Sequence, residues 1–525
     1  MKNLPIGTQS FEILRSQDLL YVDKTELILQ LVTTGRIYFL SRPRRFGKSM
    51  LISTLDALFN GHKELFEGLY IYDKWDWSKS NPVIRIDWTA IKHDTPEEIE
   101  NDLSTCLKRL ARNYGIVLFA TYASSCFAEL IEELHRKTGE KVVILIDEYD
   151  APILDVMSKS PAELKAIQGS LQGFYKILKA TDEHLRFIFL TGVSKFAKLS
   201  IFSTLNSPDD ITMDESYAAI CGYTQEELEY SFSEHINAMA AKDGDTRENL
   251  LDHIRLWYDG YTWDGKTSVY NPYSTLSFFK KQLFSNYWFA SGTPTFLMER
   301  LKKQNDIEVV TEPILADSEI FDSFDPSHIE NIPLLFQTGY LTVKSRELTH
   351  GIPQYTLGVP NREVQDSLMK YIASAYSNVP LSQLAVLTRK MSEQLAVLDA
   401  EGFAQSVRTM LEDIPYDIQI GNEKYYHSLF LSWMNVLGFK AQGEVLTGHG
   451  RIDAVLEQPD TVIVCELKYH SKTKTVTLLR NAIKQIHDKN YYGKYQGKGK
   501  KIVLLGLAFS GKDVGCRMEA LRVES

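Results

Sequence analysis

Two sets of ionisable residues stand at spacings that suit phosphate chemistry, one towards each end of the 525-residue chain. In the first, IYFLSRPRRFGKSML passes from an apolar run through a turn into a helix start, and Gly47-Lys48-Ser49 completes the GxxxxGK[ST] phosphate-loop pattern. In that geometry the backbone amides of Phe46, Gly47, Lys48, Ser49 and Met50 cradle phosphate at a helix N-terminus, reinforced by the helix dipole. Lys48 would reach the β/γ-phosphates of ATP, and Ser49 would ligate Mg²⁺. The pattern's first glycine should fall at position 42, where this chain has Arg42. Downstream, KVVILIDEYD ends an apolar run in Asp147-Glu148. Asp147 stands where a carboxylate holds the Mg²⁺ shell, and Glu148 is placed to orient and activate water. A third run, LRFIFLTGVSKF, ends in Thr191, which could sense the γ-phosphate or the attacking water; Ser194 and Lys195 follow. Read alone, Asp147 and Glu148 would only end a buried strand; behind GKS they complete a nucleotide site.

The second set lies near the C-terminus. Gly450-Arg451-Ile452-Asp453 opens one strand-like run, and VIVCELKY places Glu466 and Lys468 two apart on another. Residues i and i+2 of a strand share a face. Glu466 and Lys468 therefore project together, Leu467 turns the other way, and Asp453 can complete a carboxylate pair. Two carboxylates that bind Mg²⁺, or Mn²⁺, suit phosphodiester hydrolysis. The lysine can orient the nucleophile or stabilise charge developing on phosphate. An E-x-K pair on its own is commonly an exposed ion pair; the GRID run and the apolar residues before Glu466 favour the catalytic reading.

The elements that must carry these residues follow from periodicity. Ile37–Leu40, Val83–Asp87, Val142–Asp147 and Phe187–Thr191 are short, apolar and bounded by turn residues, and they alternate with helical patterns. That is the signature of a parallel α/β sheet. From about Gly222 to Arg408 the pattern is mainly helical. Thr224 and Glu227 form a capping box, a short hairpin is expected within Tyr258–Tyr273, and helices are expected at Asn361–Ser377 and Leu381–Met410. From Glu423 the order is helix, three strands, a helix (Val476–Asn490) and a strand (Lys501–Ala508). The expected domains are residues 1–220, a mainly helical 221–415, and 416–525, near the about three domains that this length implies.

Composition excludes several classes. No apolar run approaches the ~20 residues of a membrane-spanning helix, and MKNLPIGTQSFE has no apolar stretch of a secretory signal. Five scattered cysteines without CxxC pairs argue against a zinc site or a disulfide framework and fit the cytoplasm. The net charge is −10, yet Asp417–Ser525 holds 16 Lys+Arg against 11 Asp+Glu, a net +5 that leaves −15 on the rest. Such a basic end suits a phosphate polymer, although a solvated lysine-rich surface would read the same. Tyr491–Tyr492, ahead of KYQGKGKK, is the better candidate for base stacking; Trp75, Trp77, Trp257, Tyr258 and Tyr261 read as packing.

Residues 1–280 resemble the bacterial AAA-ATPase-like family of P-loop proteins through LPIGTQSFEILR, YVDKTELI, FLSRPRRFGKSML, VVILIDEYDAPI, FLTGVSKF, CGYTQEEL and YNPYS. RPRRFGKS is the usual form in that family, so the resemblance implies an ATPase fold with Lys48, Ser49, Asp147 and Glu148 in the roles above, and makes Arg44 and Arg45 candidate phosphate contacts. D-x12-E-x-K within residues 420–510 resembles the PD-(D/E)XK nucleases. It implies that Glu423, on the leading helix, adds a metal-binding carboxylate and that Gln485, in AIKQIHDKNYY, lies near the active face. Together these imply an ATP-binding protein, an ATPase coupled to a Mg²⁺-dependent nuclease acting on nucleic acid, DNA ahead of RNA. The alternative is an ATP switch whose C-terminal module binds nucleic acid or a protein without cutting. Oligomeric state is open.

Overall fold

The computed structural model describes the chain except residues 157–159, 196–207, 291–312, 323–329, 378–380, 413–422, 437–439, 448–449, 458–459, 498, 511–512 and 522–525; the side chain of Glu423 also lies outside the described set. The described residues divide into two compact units, one of residues up to 290 with Ile314–Glu363, the other from Val364 onward.

In the first unit, β1 (Ile37–Ser41), β2 (Val83–Asp87), β3 (Val142–Asp147), β4 (Leu185–Gly192) and the two-residue β5 (Asp209–Asp210) form a sheet in the order β2-β3-β4-β1-β5. Every pairing in it is parallel. Parallel strands need covering on both faces, and the side-chain period of two supplies it. Ile84, Ile86, Ile144, Ile146, Ile188 and Leu190 enter one apolar cluster with helices Pro96–Asn113, Ala123–Thr138 and Pro161–Ala180. Tyr38, Leu40, Val143, Leu145, Phe187 and Phe189 enter another with helices Thr25–Thr34 and Lys48–Phe59. The expected strands are present, β4 longer at both ends; β5 is too short to leave a pattern in the sequence.

The rest of this unit is less purely helical than expected. The Thr224–Glu227 capping box forms and starts helix Gln225–Ser231. Tyr258–Tyr273 folds back through antiparallel bridges Tyr261–Val269 and Tyr223–Tyr270. A three-stranded antiparallel sheet, β6 (Ile314–Asp317), β7 (Thr342–Thr349) and β8 (Ile352–Gly358), was not anticipated. Its signal is the turn His350-Gly351, both residues with positive φ, between two runs with β-branched residues.

In the second unit, helix Arg362–Ser377 follows the expected range. The single helix expected over Leu381–Met410 is two, Leu381–Ala396 and Ala400–Glu412. The break occurs where Leu398 takes φ +57° and the Asp399 carboxylate accepts the Gly402 amide at 2.9 Å. Helix Glu423–Val436 then leads into β9 (Lys440–Thr447), β10 (Gly450–Glu457), β11 (Thr461–Tyr469), β12 (Lys501–Ser510) and β13 (Asp513–Ala520). The sheet order is β13-β12-β11-β10-β9, with β11 and β12 parallel and the other pairs antiparallel. Val462 and Val464 of β11 pack with Ile483 and Ile486 of helix Thr475–Asp488, so Glu466 and Lys468, in the same register of alternation, share that face. On the opposite face Tyr426 stacks on Tyr469 and Phe509, ring centroids 5.1 and 4.4 Å away.

Candidate functional site

The nucleotide loop begins where β1 ends. Gly47 takes φ +95°, a left-handed conformation that a side chain would strain, and starts helix Lys48–Phe59 without a capping side chain. The first amides of a helix lack partners inside it, which suits a loop that presents N–H groups to an anion. Lys48 is 3% exposed and folds back along the loop. Its ammonium donates to the carbonyls of Arg42 (3.1 Å) and Pro43 (3.2 Å) and pairs with Glu148 Oε1 at 3.2 Å. Asp147, at the end of β3, is buried. That burial raises its carboxyl above the usual carboxylate range, the neighbouring Ser49 hydroxyl opposes the rise, Glu148 adds to it, and Lys48 opposes it. Lys48 with Glu148 and Ser49 with Asp147 thus meet beyond the ends of β1 and β3, two parallel strands with β4 between them.

Glu148 has φ +49°, unusual for a residue with a side chain. The turn around it is tied to β4: Glu148 N–H donates to Asp147 Oδ1 (3.1 Å), and Tyr149 N–H donates to the Thr191 carbonyl (3.0 Å). The Thr191 hydroxyl is buried and donates to the Leu40 carbonyl of β1 at 2.9 Å.

The loop's outer side is gripped by later parts of the same unit. Phe46 is fully buried, its ring edge-on to Tyr261 (4.8 Å) and Trp263 (5.5 Å). Trp288 Nε1 donates to the Arg44 carbonyl at 2.9 Å, and Gly339 stands so close that a Cβ there would lie 2.8 Å from Pro43. Arg44 and Arg45 are exposed, and the Arg45 guanidinium lies 5.1 Å from the centre of the Tyr273 ring. Met50 is half-buried on the P-loop helix beside the apolar cluster.

In the C-terminal sheet, Asp453 Oδ2 accepts the Leu467 amide at 2.8 Å, bringing the β10 carboxylate against the backbone between Glu466 and Lys468. Lys468 Nζ pairs with Glu466 Oε1 at 2.7 Å, the glutamate fully buried. His427 binds the backbone carbonyl of Asp453 through Nε2. Gln485 donates to the Tyr491 hydroxyl at 3.3 Å rather than to any of the three. Among the described residues no three His, Cys, Asp or Glu side chains gather as a metal cluster. Ser49 with Asp147, and Asp453 with Glu466, are small sets of hard oxygens. They fit Mg²⁺, which keeps several waters and takes phosphate oxygens to complete its shell.

Two family comparisons agree with this division. Residues 5–202 match a family described as a predicted AAA-ATPase, and residues 421–519 match the PD-(D/E)XK nuclease superfamily. An uncharacterized protein in the vnfD 5′ region of Azotobacter chroococcum mcd 1 is 38% identical over 515 residues, 97% of this chain and 96% of that protein. The chain belongs to the AAA-ATPase-like family, with a PD-(D/E)XK nuclease-superfamily domain at its C-terminus.

Within the AAA-ATPase-like module, several residues sit differently from the simplest reading of the motif. Phe46 has its ring locked in an aromatic box, so only its backbone amide is available to a phosphate. Arg42, in the glycine position, is fully buried. Its guanidinium donates to the carbonyls of Ser41 and Thr212, both at 2.9 Å, and of Tyr217 at 3.4 Å, over the Trp263 ring at 3.8 Å. Asp150, Trp288 and Trp263 were not singled out by the sequence; the second Asp of DEYD was the one local signal. In the PD-(D/E)XK domain, Tyr491 is 3% exposed and packed in the core, which removes it as a stacking platform; it is anchored there by Gln485. Glu423 opens the leading helix, and its side chain lies outside the described residues.

Proposed function

We propose that the chain binds and hydrolyses ATP in its N-terminal unit and cleaves phosphodiester bonds in nucleic acid, DNA ahead of RNA, with its C-terminal domain. The observation that carries the first half is the meeting of Lys48 with Glu148 and of Ser49 with Asp147 at the ends of β1 and β3. When ATP enters, the ammonium of Lys48 is positioned to exchange the loop carbonyls for phosphate oxygens. Glu148, held close to Lys48, is placed to accept a proton from water. Ser49 and Asp147 would hold Mg²⁺, which supplies charge neutralisation on the phosphates. Backbone amides of Phe46, Gly47, Lys48, Ser49 and Met50 would line the phosphate cradle, with Arg44 and Arg45 at its exposed rim and Thr191 fixing the adjoining strand. Hydrolysis requires water to be held in line as well as phosphate to be bound, and Glu148 is the residue assigned to that task.

The cleavage reading is supported by Asp453, Glu466 and Lys468 converging where β10 and β11 meet. Asp453 and Glu466 would hold Mg²⁺ or Mn²⁺, with Glu423 as a further ligand and Gln485, on the helix over that face, holding the Tyr491 hydroxyl. Lys468 would stabilise charge on the scissile phosphate. A second reading has its own support: full burial of Glu466 against Lys468 would also suit a domain that binds nucleic acid without cutting it. Incubating the purified chain with linear DNA and Mg²⁺ separates the two. We expect nicking or degradation that Asp453→Ala and Glu466→Ala each abolish while ATP binding persists. Cutting that survives both substitutions overturns the catalytic assignment, and absent cutting with no Mg²⁺ or Mn²⁺ uptake by calorimetry favours the binding-only reading.

A further inference from the structure

Beyond the residues that face the nucleotide, the segment that follows β4 is held unusually tightly. Val193 and Ser194 donate their amides to Asp150, to Oδ1 at 3.2 Å and to Oδ2 at 2.6 Å, and the Ser194 hydroxyl adds a third bond to Oδ2 at 2.6 Å. The carbonyls of the same two residues accept from the hydroxyls of Ser41 (2.6 Å) and Tyr149 (2.9 Å). Lys195 N–H donates to Gln337 Oε1 at 3.0 Å. Asp150 is 0% exposed and passes over the end of β4, where Gly192 makes room: a Cβ there would lie 2.6 Å from the Tyr149 ring.

A buried carboxylate with three donors is not a default surface feature; such groups persist where the bonds they make are needed. What these bonds hold is the turn that carries Glu148. That residue occupies left-handed backbone, which is unfavourable for a residue with a side chain and survives only where the surroundings enforce it. Tyr149 and Asp150, the two residues after it, are both anchored to the β4 end, while Asp147, before it, is anchored in β3. Freed at Asp150, the turn can relax and carry the Glu148 carboxylate away from Lys48, while the loop, Lys48 and Ser49 stay in place.

Resting on the ATPase reading, we propose that Asp150 is a positioning residue for ATP hydrolysis: it locks the Asp147–Asp150 turn to Val193–Ser194, fixing the Glu148 carboxylate for attack on the γ-phosphate without contacting nucleotide. The test compares steady-state phosphate release and nucleotide binding in the full-length chain, wild type against Asp150→Asn and Ser194→Ala. Asn keeps the size and one acceptor but opposes an N–H with an NH₂. Asp150→Asn is expected to lower kcat at least ~10-fold while the KM and binding of ATP change less than ~3-fold, since only transition-state positioning is lost. Ser194→Ala, which deletes one bond and nothing bulky, is expected to lower kcat ~3-fold at unchanged KM. An unchanged kcat in folded Asp150→Asn overturns the proposal, and so does a parallel loss of ATP binding, which marks a merely structural role. If Asp150→Asn does not fold, Ser194→Ala decides alone: wild-type turnover there refutes the positioning role. A wild-type chain that binds ATP but releases no phosphate defeats the ATPase reading itself, a failure visible before any variant is measured.

Discussion

Replacing Arg42 with glycine would restore the residue that the general phosphate-loop pattern calls for, and the structure predicts that this restoration is harmful. The guanidinium is fully buried and makes two bonds of 2.9 Å to the carbonyls of Ser41 and Thr212, beside the Trp263 ring at 3.8 Å. Charge-assisted bonds of this kind contribute about 1.5–3 kcal/mol each, and a desolvated cation–π contact about 2 kcal/mol. Against this stands the cost of burying the charge: desolvation pulls the guanidinium pKa down to about 10, equivalent to roughly 3 kcal/mol. The added backbone freedom of glycine costs about 1 kcal/mol more. Arg42→Gly should therefore destabilise the first unit by about 4 kcal/mol and weaken nucleotide binding, because the start of the loop loses its anchor to Thr212. Urea unfolding followed by far-ultraviolet circular dichroism, with binding of a fluorescent ATP analogue measured in parallel, tests both parts. An Arg42→Gly chain with an unshifted first transition and equal or tighter nucleotide binding would refute the view that this arginine is an internal clamp.

Further expectations concern the loop's support, the buried acids and the C-terminal domain. Trp288→Phe removes the N–H that holds the Arg44 carbonyl; with one neutral hydrogen bond worth about 1 kcal/mol, ATP affinity measured by calorimetry should fall roughly 5-fold, and unchanged affinity would show that the loop does not need this grip. Glu363 is fully buried and accepts the Trp288 amide at 2.7 Å; burial pushes its carboxyl up to about 7 from the usual 4.5. A raised carboxyl stabilises the fold fully below pH ~4.5, and the contribution is lost as pH rises through ~7, a difference of roughly 3 kcal/mol. Glu363→Gln, which keeps the acceptor, should therefore resist denaturant better than wild type at pH 8 and about equally at pH 5; the same gap at both values would contradict the assignment. Lys468→Ala should remove cleavage at least ~100-fold while Mn²⁺ uptake by calorimetry stays or tightens, because one partner of the Glu466 carboxylate is gone and its ligand oxygen is freed for the ion.

Much of this was legible in the sequence because it is local. A strand of six buried residues announces itself as VVILID, and a left-handed glycine before Lys48-Ser49 needs no distant information. The same holds for Glu466 and Lys468, whose shared face follows from the alternation of one strand. What was not legible depends on partners far along the chain. Phe46 reads as part of a phosphate loop until Tyr261 and Trp263 close over it. Arg42 looks like a lost glycine until Thr212 and Trp263 show that the side chain turns inward. Tyr491 looks like a base-stacking residue beside a lysine-rich stretch, yet the helix before it folds the ring into the core, where Gln485 meets its hydroxyl. Asp150 carries no periodic signature at all, because its importance comes from the amides of Val193 and Ser194, just beyond the end of β4 and more than forty residues along the chain.

Two separable chemistries on one chain are tested most directly by measuring phosphate release from ATP and phosphodiester cleavage side by side in Lys48→Ala and Glu466→Ala. Lys48→Ala should lose phosphate release at least ~100-fold, and Glu466→Ala should lose cleavage to a similar degree while releasing phosphate within ~2-fold of the wild-type rate. Wild-type phosphate release by Lys48→Ala, or wild-type cleavage by Glu466→Ala, would contradict the assignment of the site concerned.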